Sequence, residues 1–115
     1  MLVENNRISK KKDFDNIFKN GKSARGAFLI LKFLQNNLKI NRFAFVVSKK
    51  VSPKAVVRNK IRRRLSESIK EFNNQSEGGV DIIFVALPKI KDKNFSEIKE
   101  ETNNLLSKII SKNKI

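Results

Sequence analysis

Two short apolar runs flank an amphipathic helical pattern in the middle of this chain. The runs cover residues 42–47 and 80–87, and each has the length and composition of a buried strand. Between them, apolar residues recur at intervals of three or four positions, which is the spacing of one face of an α-helix. This apolar stripe consists of Val57, Ile61, Leu65, Ile69 and Phe72. The order of strand, helix and strand predicts a β-α-β unit whose stripe packs against a sheet.

The first segment of regular structure is a predicted helix over residues 10–20. Phe14, Ile17 and Phe18 follow the i, i+3, i+4 spacing that places side chains on one helical face. Gly21 comes directly afterwards, and glycine is the usual residue where a helix ends in the left-handed conformation. The pattern therefore predicts a short amphipathic helix that ends at a left-handed Gly21.

A nearly continuous apolar run at residues 28–34 predicts another strand, buried on most of both faces. The asparagine-rich segment 35–41 is typical of a turn, so this strand is expected to pair antiparallel with the strand at 42–47. Near the C-terminus, Asn94 or Ser96 is the predicted N-cap of a last helix that runs to about residue 111.

The central helix is predicted over residues 53–72, with Ser52 as its N-cap and Pro53 in its first turn. The elements then follow in the order helix, strand, strand, helix, strand, helix. That order predicts an α+β fold with helices packed on a small sheet, in a single domain over residues 1–115. The general rule for β-α-β units predicts a right-handed crossover.

Positive charge is concentrated in one part of the sequence. The net charge is +15 and the isoelectric point is about 10.4. Residues 16–66 contain no acidic residue, yet they hold fourteen of the 26 lysines and arginines. A solvated surface usually mixes both signs of charge, whereas a long acid-free stretch is typical of a face that binds a polyanion. The pattern indicates nucleic acid as the partner.

The composition also excludes several kinds of chemistry. The chain has no cysteine and no histidine, which excludes disulfides and histidine general bases and makes a zinc site implausible. No apolar run approaches the roughly 20 residues that span a bilayer, and the N-terminal segment has no apolar signal-peptide core. We therefore expect a cytoplasmic protein with no membrane partner. A self-contained nuclease would need clustered carboxylates, whereas Asp13, Asp15 and Asp81 are scattered along the chain.

A helical wheel gives the central helix two polar faces beside the apolar stripe. The acid-free face consists of Asn59, Arg62, Arg63, Ser66 and Lys70. The mixed face consists of Lys60, Arg64, Glu67 and Glu71. Because the planar fork of arginine suits bidentate contact with phosphate, the acid-free face is predicted to bind RNA. The alternative is a solvated amphipathic helix whose charges only aid solubility.

Two further groups of side chains are candidates for RNA contacts. Lys49, Lys50 and Lys54 lie just before the central helix or at its start, where a helix N-terminus favours anions. Phe14 and Phe18 have two interpretations. They either pack in the core, or lie partly open in a groove where they stack on single-stranded nucleotides.

The segment FAFVVSKKVSPKAVVRNKIRRRLSE, at residues 43–67, resembles the signature of the bacterial ribonuclease P protein component. The matching positions are Ser48-Lys49-Lys50, Ala55-Val56, Arg58-Asn59-Lys60-Ile61 and Arg62-Arg63. KKDFDNIFKNGKS, at residues 11–23, is similar to the N-terminal helix of the family. Residues 80–86 are similar to its late strand with a leading aspartate.

The resemblance implies both a fold and a function. The implied fold is ribosomal-protein-like, with a small mixed sheet and a left-handed β-α-β crossover that overrides the general rule. The implied function is that of a protein subunit that binds the ribonuclease P RNA and the 5′ leader of precursor tRNA. The ribonucleoprotein is an endoribonuclease that removes the leader and produces 5′-phosphomonoesters. The catalytic site and its Mg²⁺ are then expected in the RNA, with no catalytic residue, tightly bound metal or obligate protein partner in the chain itself.

The resemblance also implies two sets of site residues. Those expected to bind RNA are Lys49, Lys50, Lys54, Arg58, Asn59, Lys60, Arg62, Arg63, Arg64 and Lys70. Those expected in the cleft for the leader are Phe14, Phe18, Leu31, Phe33 and Ser48. The chain departs from the family where Ser66 replaces a frequent arginine and Leu31 a common aromatic residue. The alternative function is that of a structural, ribosomal-type RNA-binding protein with no role in cleavage, which the charge pattern fits equally well.

Overall fold

The computed structural model describes residues 7–75 and 79–113 of the chain. The helices are α1 (Lys11–Asn20), α2 (Ala55–Ser68), α3 (Lys70–Gln75) and α4 (Phe95–Asn113), and a 3₁₀ turn covers Pro88–Asp92. The strands are β1 (Lys22–Arg25), β2 (Leu29–Gln35), β3 (Arg42–Val46) and β4 (Val80–Ala86). They form one sheet in the order β1-β2-β4-β3. The predicted α+β fold with a small mixed sheet is confirmed. In these two ranges, no helix is long and apolar enough to cross a membrane.

β4 lies inside the sheet between β2 and β3. It pairs antiparallel with β2 and parallel with β3, while β1 pairs antiparallel with the outer edge of β2. The predicted antiparallel pairing of the strands at 28–34 and 42–47 is therefore wrong. The interior position suits β4 because its side chains Ile82, Ile83 and Phe84 are completely buried and belong to both faces of the sheet.

The connection between β2 and β3 passes the end of β4. The backbone N–H of Asn36 donates to the carbonyl of Gly79 at 2.9 Å, and the N–H of Gly79 donates to the carbonyl of Ile40 at 3.1 Å. These bonds guide the chain past β4, so β3 joins the sheet on the far side. The parallel β3–β4 pair, with α2 and α3 between its strands, confirms the predicted β-α-β unit. Sequence reasoning missed β1, because this short polar edge strand has no apolar alternation.

Side chains alternate along β2, so the prediction that this strand is buried on most of both faces is wrong. The side chains on the fully buried face are Leu29, Leu31 and Phe33. They belong to the main core, to which α2 and α4 also contribute. The side chains on the half-buried face are Ile30, Lys32 and Leu34. On that face, α1 contributes Ile17 to a smaller cluster with Ala44 and Ile83.

The central helix begins later and ends earlier than predicted. Lys54, not Ser52, is the residue before the first turn of α2, and the hydroxyl of Ser52 accepts a hydrogen bond from the Lys54 N–H at 3.2 Å instead. The helix is interrupted at Ile69, after which α3 begins. The Ser68 hydroxyl donates to the carbonyl of Arg64 at 2.7 Å, a bond to the preceding turn that often accompanies bending. The predicted apolar stripe is confirmed, since Ile61, Leu65 and Ile69 are buried and Val57 and Phe72 are partly buried.

Gly21 ends α1 in an extended conformation rather than the predicted left-handed one, with φ −78° and ψ 165°. A Cβ atom at this position would clash with the carbonyl oxygen of Ile17 in α1 and lie 2.7 Å from that of Phe33 in β2. Glycine is therefore required here by the close approach of its backbone to α1 and β2, and not by backbone handedness.

The predicted N-cap of the last helix is confirmed at Asn94. The side-chain oxygen of Asn94 accepts a hydrogen bond from the Glu97 N–H at 2.8 Å, and the Glu97 carboxylate accepts one from the Asn94 N–H at 3.1 Å. This reciprocal pair is a capping box, which satisfies two backbone donors at the start of α4.

Candidate RNA interface

The exposed surface of α2 carries the central part of the predicted interface. Asn59, Lys60 and Arg63 are exposed, while Arg62 is half-buried. The Arg62 guanidinium donates to the side-chain oxygen of Asn59 at 2.7 Å and to the carbonyl of Val47 at 3.2 Å. This contact uses one lone pair of the Asn59 oxygen and orients the exposed side-chain amide. The structure brings these four predicted residues together on one helix.

Two further arginines of α2 are also braced, which means that their guanidinium groups donate hydrogen bonds to backbone carbonyls. Arg58 donates to the carbonyl of Ser52 at 3.0 Å, and Arg64 donates to the carbonyl of Lys93 at 3.2 Å. Both side chains are half-buried, so part of each is covered by the fold while the rest reaches the surface. Bracing of this kind lowers the entropy cost of holding a guanidinium against a phosphate.

The acid-free face is smaller than the wheel predicted. Lys70 forms an ion pair with Glu67 at 3.0 Å, so its placement away from acidic residues is wrong. Glu67 and Lys70 are spaced i, i+3, so the side chains can reach each other although the wheel assigns them to different faces. Ser66 is buried, with only 5% of its surface exposed, so it does not belong to the exposed face that the wheel predicted.

A second group of bases lies just before α2. Lys49, Lys50 and Lys54 are all exposed, and the first turn of α2 contains no acidic residue. The hydroxyl of Ser48 accepts a hydrogen bond from the Lys50 N–H at 3.3 Å, and the carbonyl of Ser48 accepts one from Val51 at 3.0 Å. These bonds form a tight turn that holds the lysines beside the positive end of the α2 dipole, which favours an anionic ligand.

The partly open region of the sheet lies beside α1 and is called the open strip here. Its floor consists of the half-buried side chains Ile30, Lys32, Val46 and Val85. The strand register places Val85 between Ile30 and Val46. α1 borders the strip with Phe18, which is 43% exposed, and the ammonium group of Lys32 lies 5.5 Å from the centre of the Phe18 ring. A cation, an exposed ring and apolar side chains together suit single-stranded nucleotides.

The five predicted cleft residues divide between the open strip and the core. Phe18 borders the strip, Phe14 is half-buried in the cluster beneath α1, and Ser48 is exposed two residues after the end of β3. The placement of Leu31 and Phe33 in a cleft is wrong, because they are 0% and 3% exposed and point to the opposite face of β2. Sequence reasoning missed their neighbours Ile30 and Lys32, although a lysine within an apolar run is a signal for the open face of a strand.

Arg42 is the one base of the acid-free stretch that the described residues show to be neutralised by carboxylates. It pairs with Asp81 at 2.6 Å and with Asp13 at 3.4 Å. The hydrogen bonds that Arg42 donates to Asp81 are the largest of the effects that raise the pKa of Arg42 above its ordinary value. No group of three or more acidic side chains that could hold a metal ion is found among the described residues.

The comparisons with known proteins agree with one another. The family model described as Ribonuclease P matches residues 2–110. The ribonuclease P protein component of Caldanaerobacter subterraneus subsp. tengcongensis is 36% identical over 102 residues, which cover 89% of this chain and 87% of the relative. The structure of the Staphylococcus aureus RNase P protein has a TM-score of 0.82 at 31% identity and covers 89% of this chain and 93% of that one. The RNase P protein from Thermotoga maritima has a TM-score of 0.80 at 29% identity, covering 89% and 96%.

Proposed function

Because this chain belongs to the ribonuclease P protein family, we propose that it binds the 5′ leader of precursor tRNA and promotes its endonucleolytic removal. Family membership makes the chain a subunit of an endoribonuclease complex whose partner is the ribonuclease P RNA. It does not favour the alternative of a structural RNA-binding protein with no role in cleavage. The proposal concerns how this chain uses its surface within that complex.

We propose that α2 and the lysines before it bind the RNA subunit. The observation that carries this assignment is the bracing of Arg58, Arg62 and Arg64 by backbone carbonyls on an otherwise basic helix. A braced guanidinium is presented to phosphates in one orientation, and the exposed side chains of Arg63 and Lys60 add positive charge beside it. Binding is then driven by the release of counterions from several phosphates.

We propose that the open strip binds the leader. A leader is single-stranded, so its bases are available to stack on Phe18 and to contact Ile30 and Val85. Lys32 supplies a positive charge for the adjacent phosphate. In this assignment Ile30 and Lys32 contact the leader, instead of the predicted Leu31 and Phe33. Phe18 and the exposed turn at Ser48 remain part of the proposed site.

We propose that the chemistry takes place on the RNA subunit. Hydrolysis that leaves a 5′-phosphomonoester needs metal ions to stabilise the attacking and leaving oxygens, and Mg²⁺ held by the RNA would supply this. The described residues of the chain do not fit such a site, since Asp13 and Asp81 already face Arg42. The role of the chain is then to bind and orient the substrate, and the pure protein should cleave nothing.

The test is cleavage of precursor tRNA by the cognate RNA subunit over a range of Mg²⁺ concentrations, with and without the protein. We expect the protein to shift the Mg²⁺ requirement to lower concentration and to have no activity alone. The shift should weaken steeply as monovalent salt rises. An RNA subunit that cleaves equally well without the protein at every Mg²⁺ concentration would exclude the proposed function.

A further inference from the structure

Arg42 joins three elements of the fold through one guanidinium group. Its Nε and Nη2 atoms donate to the two carboxylate oxygens of Asp81 on β4, at 2.8 and 2.6 Å. Its Nη1 atom donates to the carboxylate of Asp13 on α1 at 3.4 Å. The amide of Asn36 donates to the same Asp81 carboxylate at 2.8 Å. The sheet pair is therefore complete in itself, and Asp13 is an additional partner that belongs to a helix.

The contact at Asp13 lies one helical turn from the apolar anchor of α1. Ile17, which is 1% exposed, packs into the smaller core cluster on the sheet. Asp13 and Ile17 are spaced i, i+4, so they lie on the same face of the helix. Phe14 and Phe18 have the same spacing and lie about 100° further round the helix. Ile17 and the half-buried Phe14 hold α1 on the sheet through apolar contacts, which have little directional preference, whereas the polar contact at Asp13 adds a directional constraint on the rotation of the helix.

The rotation of α1 determines where Phe18 stands relative to the open strip. The Phe18 ring lies 5.5 Å from the Lys32 ammonium group, and a small rotation of the helix would move the ring towards or away from the floor of the strip. We propose that Asp13 is a positioning residue. Through its ion pair with Arg42 it holds α1 in the rotation that places the Phe18 ring where a leader nucleotide stacks on it. This inference rests on the proposed leader-binding function of the strip.

The chain offers a matched control for this inference. Asp15 lies on the same helix and is exposed, so Asp13→Asn and Asp15→Asn change the net charge by the same amount. Both changes add positive charge to a protein that binds RNA, and general electrostatics would slightly strengthen binding in both variants. A loss of affinity confined to Asp13→Asn therefore cannot come from charge alone.

The experiment measures the affinity of the assembled holoenzyme for precursor tRNA with a leader and for mature tRNA without one. We expect Asp13→Asn to lower the affinity for the leader-bearing substrate about three- to tenfold and to leave mature tRNA unaffected. Asp15→Asn should leave both affinities close to wild type. Asp13→Glu, which keeps a carboxylate in reach of Arg42, should recover most of the loss, and this recovery would also show that loss of folding is not the cause.

Combining Asp13→Asn with Phe18→Ala separates positioning from a general weakening of the fold. If Asp13 acts through Phe18, Asp13→Asn should have no further effect on leader affinity once the ring is removed. An equal loss in both backgrounds would overturn the inference, and so would equal behaviour of Asp13→Asn and Asp15→Asn. A wild-type holoenzyme with no preference for leader-bearing substrate would instead overturn the proposed leader-binding function itself.

Discussion

The carboxylate of Glu101 on α4 accepts a hydrogen bond from the backbone N–H of Phe28 at 3.0 Å, across 73 residues of sequence. Its other oxygen accepts one from the N–H of Ala27 at 2.8 Å. The two donors belong to the turn between β1 and β2, so one side chain fixes the edge of the sheet to the last helix. A Cβ atom on Gly26 would lie 2.5 Å from the Glu101 carboxyl carbon, which explains the glycine in this turn.

We expect Glu101→Ala to lower the free energy of unfolding by about 2 kcal/mol, because it removes the acceptor of two backbone N–H groups. Gly26→Ala should destabilise the wild type by about 1 kcal/mol, since the new methyl group displaces the carboxylate. In the Glu101→Ala background the same change should be neutral or slightly stabilising, because the carboxylate that the methyl group would meet is gone and Gly26 has no positive φ. Urea unfolding of the four proteins measures this coupling.

The neighbouring residue Glu100 is the control for that cycle. It is exposed on α4, so Glu100→Ala should change stability by less than about 0.5 kcal/mol. Additive effects of Gly26→Ala and Glu101→Ala would show that the carboxylate is not the reason for a glycine at position 26.

Arg62 and Arg63 are adjacent in sequence but should respond differently to substitution. Arg63 is exposed, so Arg63→Ala should weaken binding to the RNA subunit about fivefold and leave stability unchanged. The slope of log binding constant against log salt concentration should fall by about one, which corresponds to the loss of one phosphate contact. Arg62→Ala should weaken binding and also cost about 1 kcal/mol of stability, because it removes the bonds to Asn59 and Val47.

Filter binding at several salt concentrations and urea unfolding distinguish these two effects. Lys99→Ala, on the exposed surface of α4, is the control with the same charge change, and it should leave RNA affinity close to wild type. Equal losses of affinity for Lys99→Ala and Arg63→Ala would mean that net charge, and not the α2 surface, determines binding.

The Arg42–Asp81 pair should stabilise the protein equally across neutral and moderately alkaline pH. The pKa of Arg42 is raised by its hydrogen bond with Asp81, so its contribution is fully present below the ordinary pKa of an unfolded arginine and is lost only as pH rises through the raised value. Arg42→Met leaves Asp81, whose side chain is 7% exposed, without its cation and should cost about 3 kcal/mol. Urea unfolding at about pH 7.5 and about pH 9.5 should give the same cost. Lys39→Met, in the exposed connection between β2 and β3, should cost little at either pH.

The elements and the basic helix were predictable because local patterns determine them. The stripe at Ile61, Leu65 and Ile69 and the capping box at Asn94 depend on residues a few positions apart. The strand order was not predictable in this way, since it depends on the pairing of β4 with β2 and β3. These pairs join residues far apart in sequence, such as Arg42 and Asp81, which are 39 residues apart. Resemblance to the family identified the leading aspartate of β4, but only the structure identifies Arg42 as its partner.

The buried hydroxyl of Thr102 on α4 provides a last prediction. Thr102 is completely buried, and among the described residues its hydroxyl has no hydrogen-bond partner. Thr102→Val replaces the hydroxyl with a methyl group of similar size, so we expect stability to rise by about 1 kcal/mol. Thr102→Ser keeps the hydroxyl and removes the methyl group, and should lower stability by about 1 kcal/mol. Thermal and urea unfolding of the two variants measure both changes. A loss of stability in Thr102→Val would show that the hydroxyl is satisfied in solution.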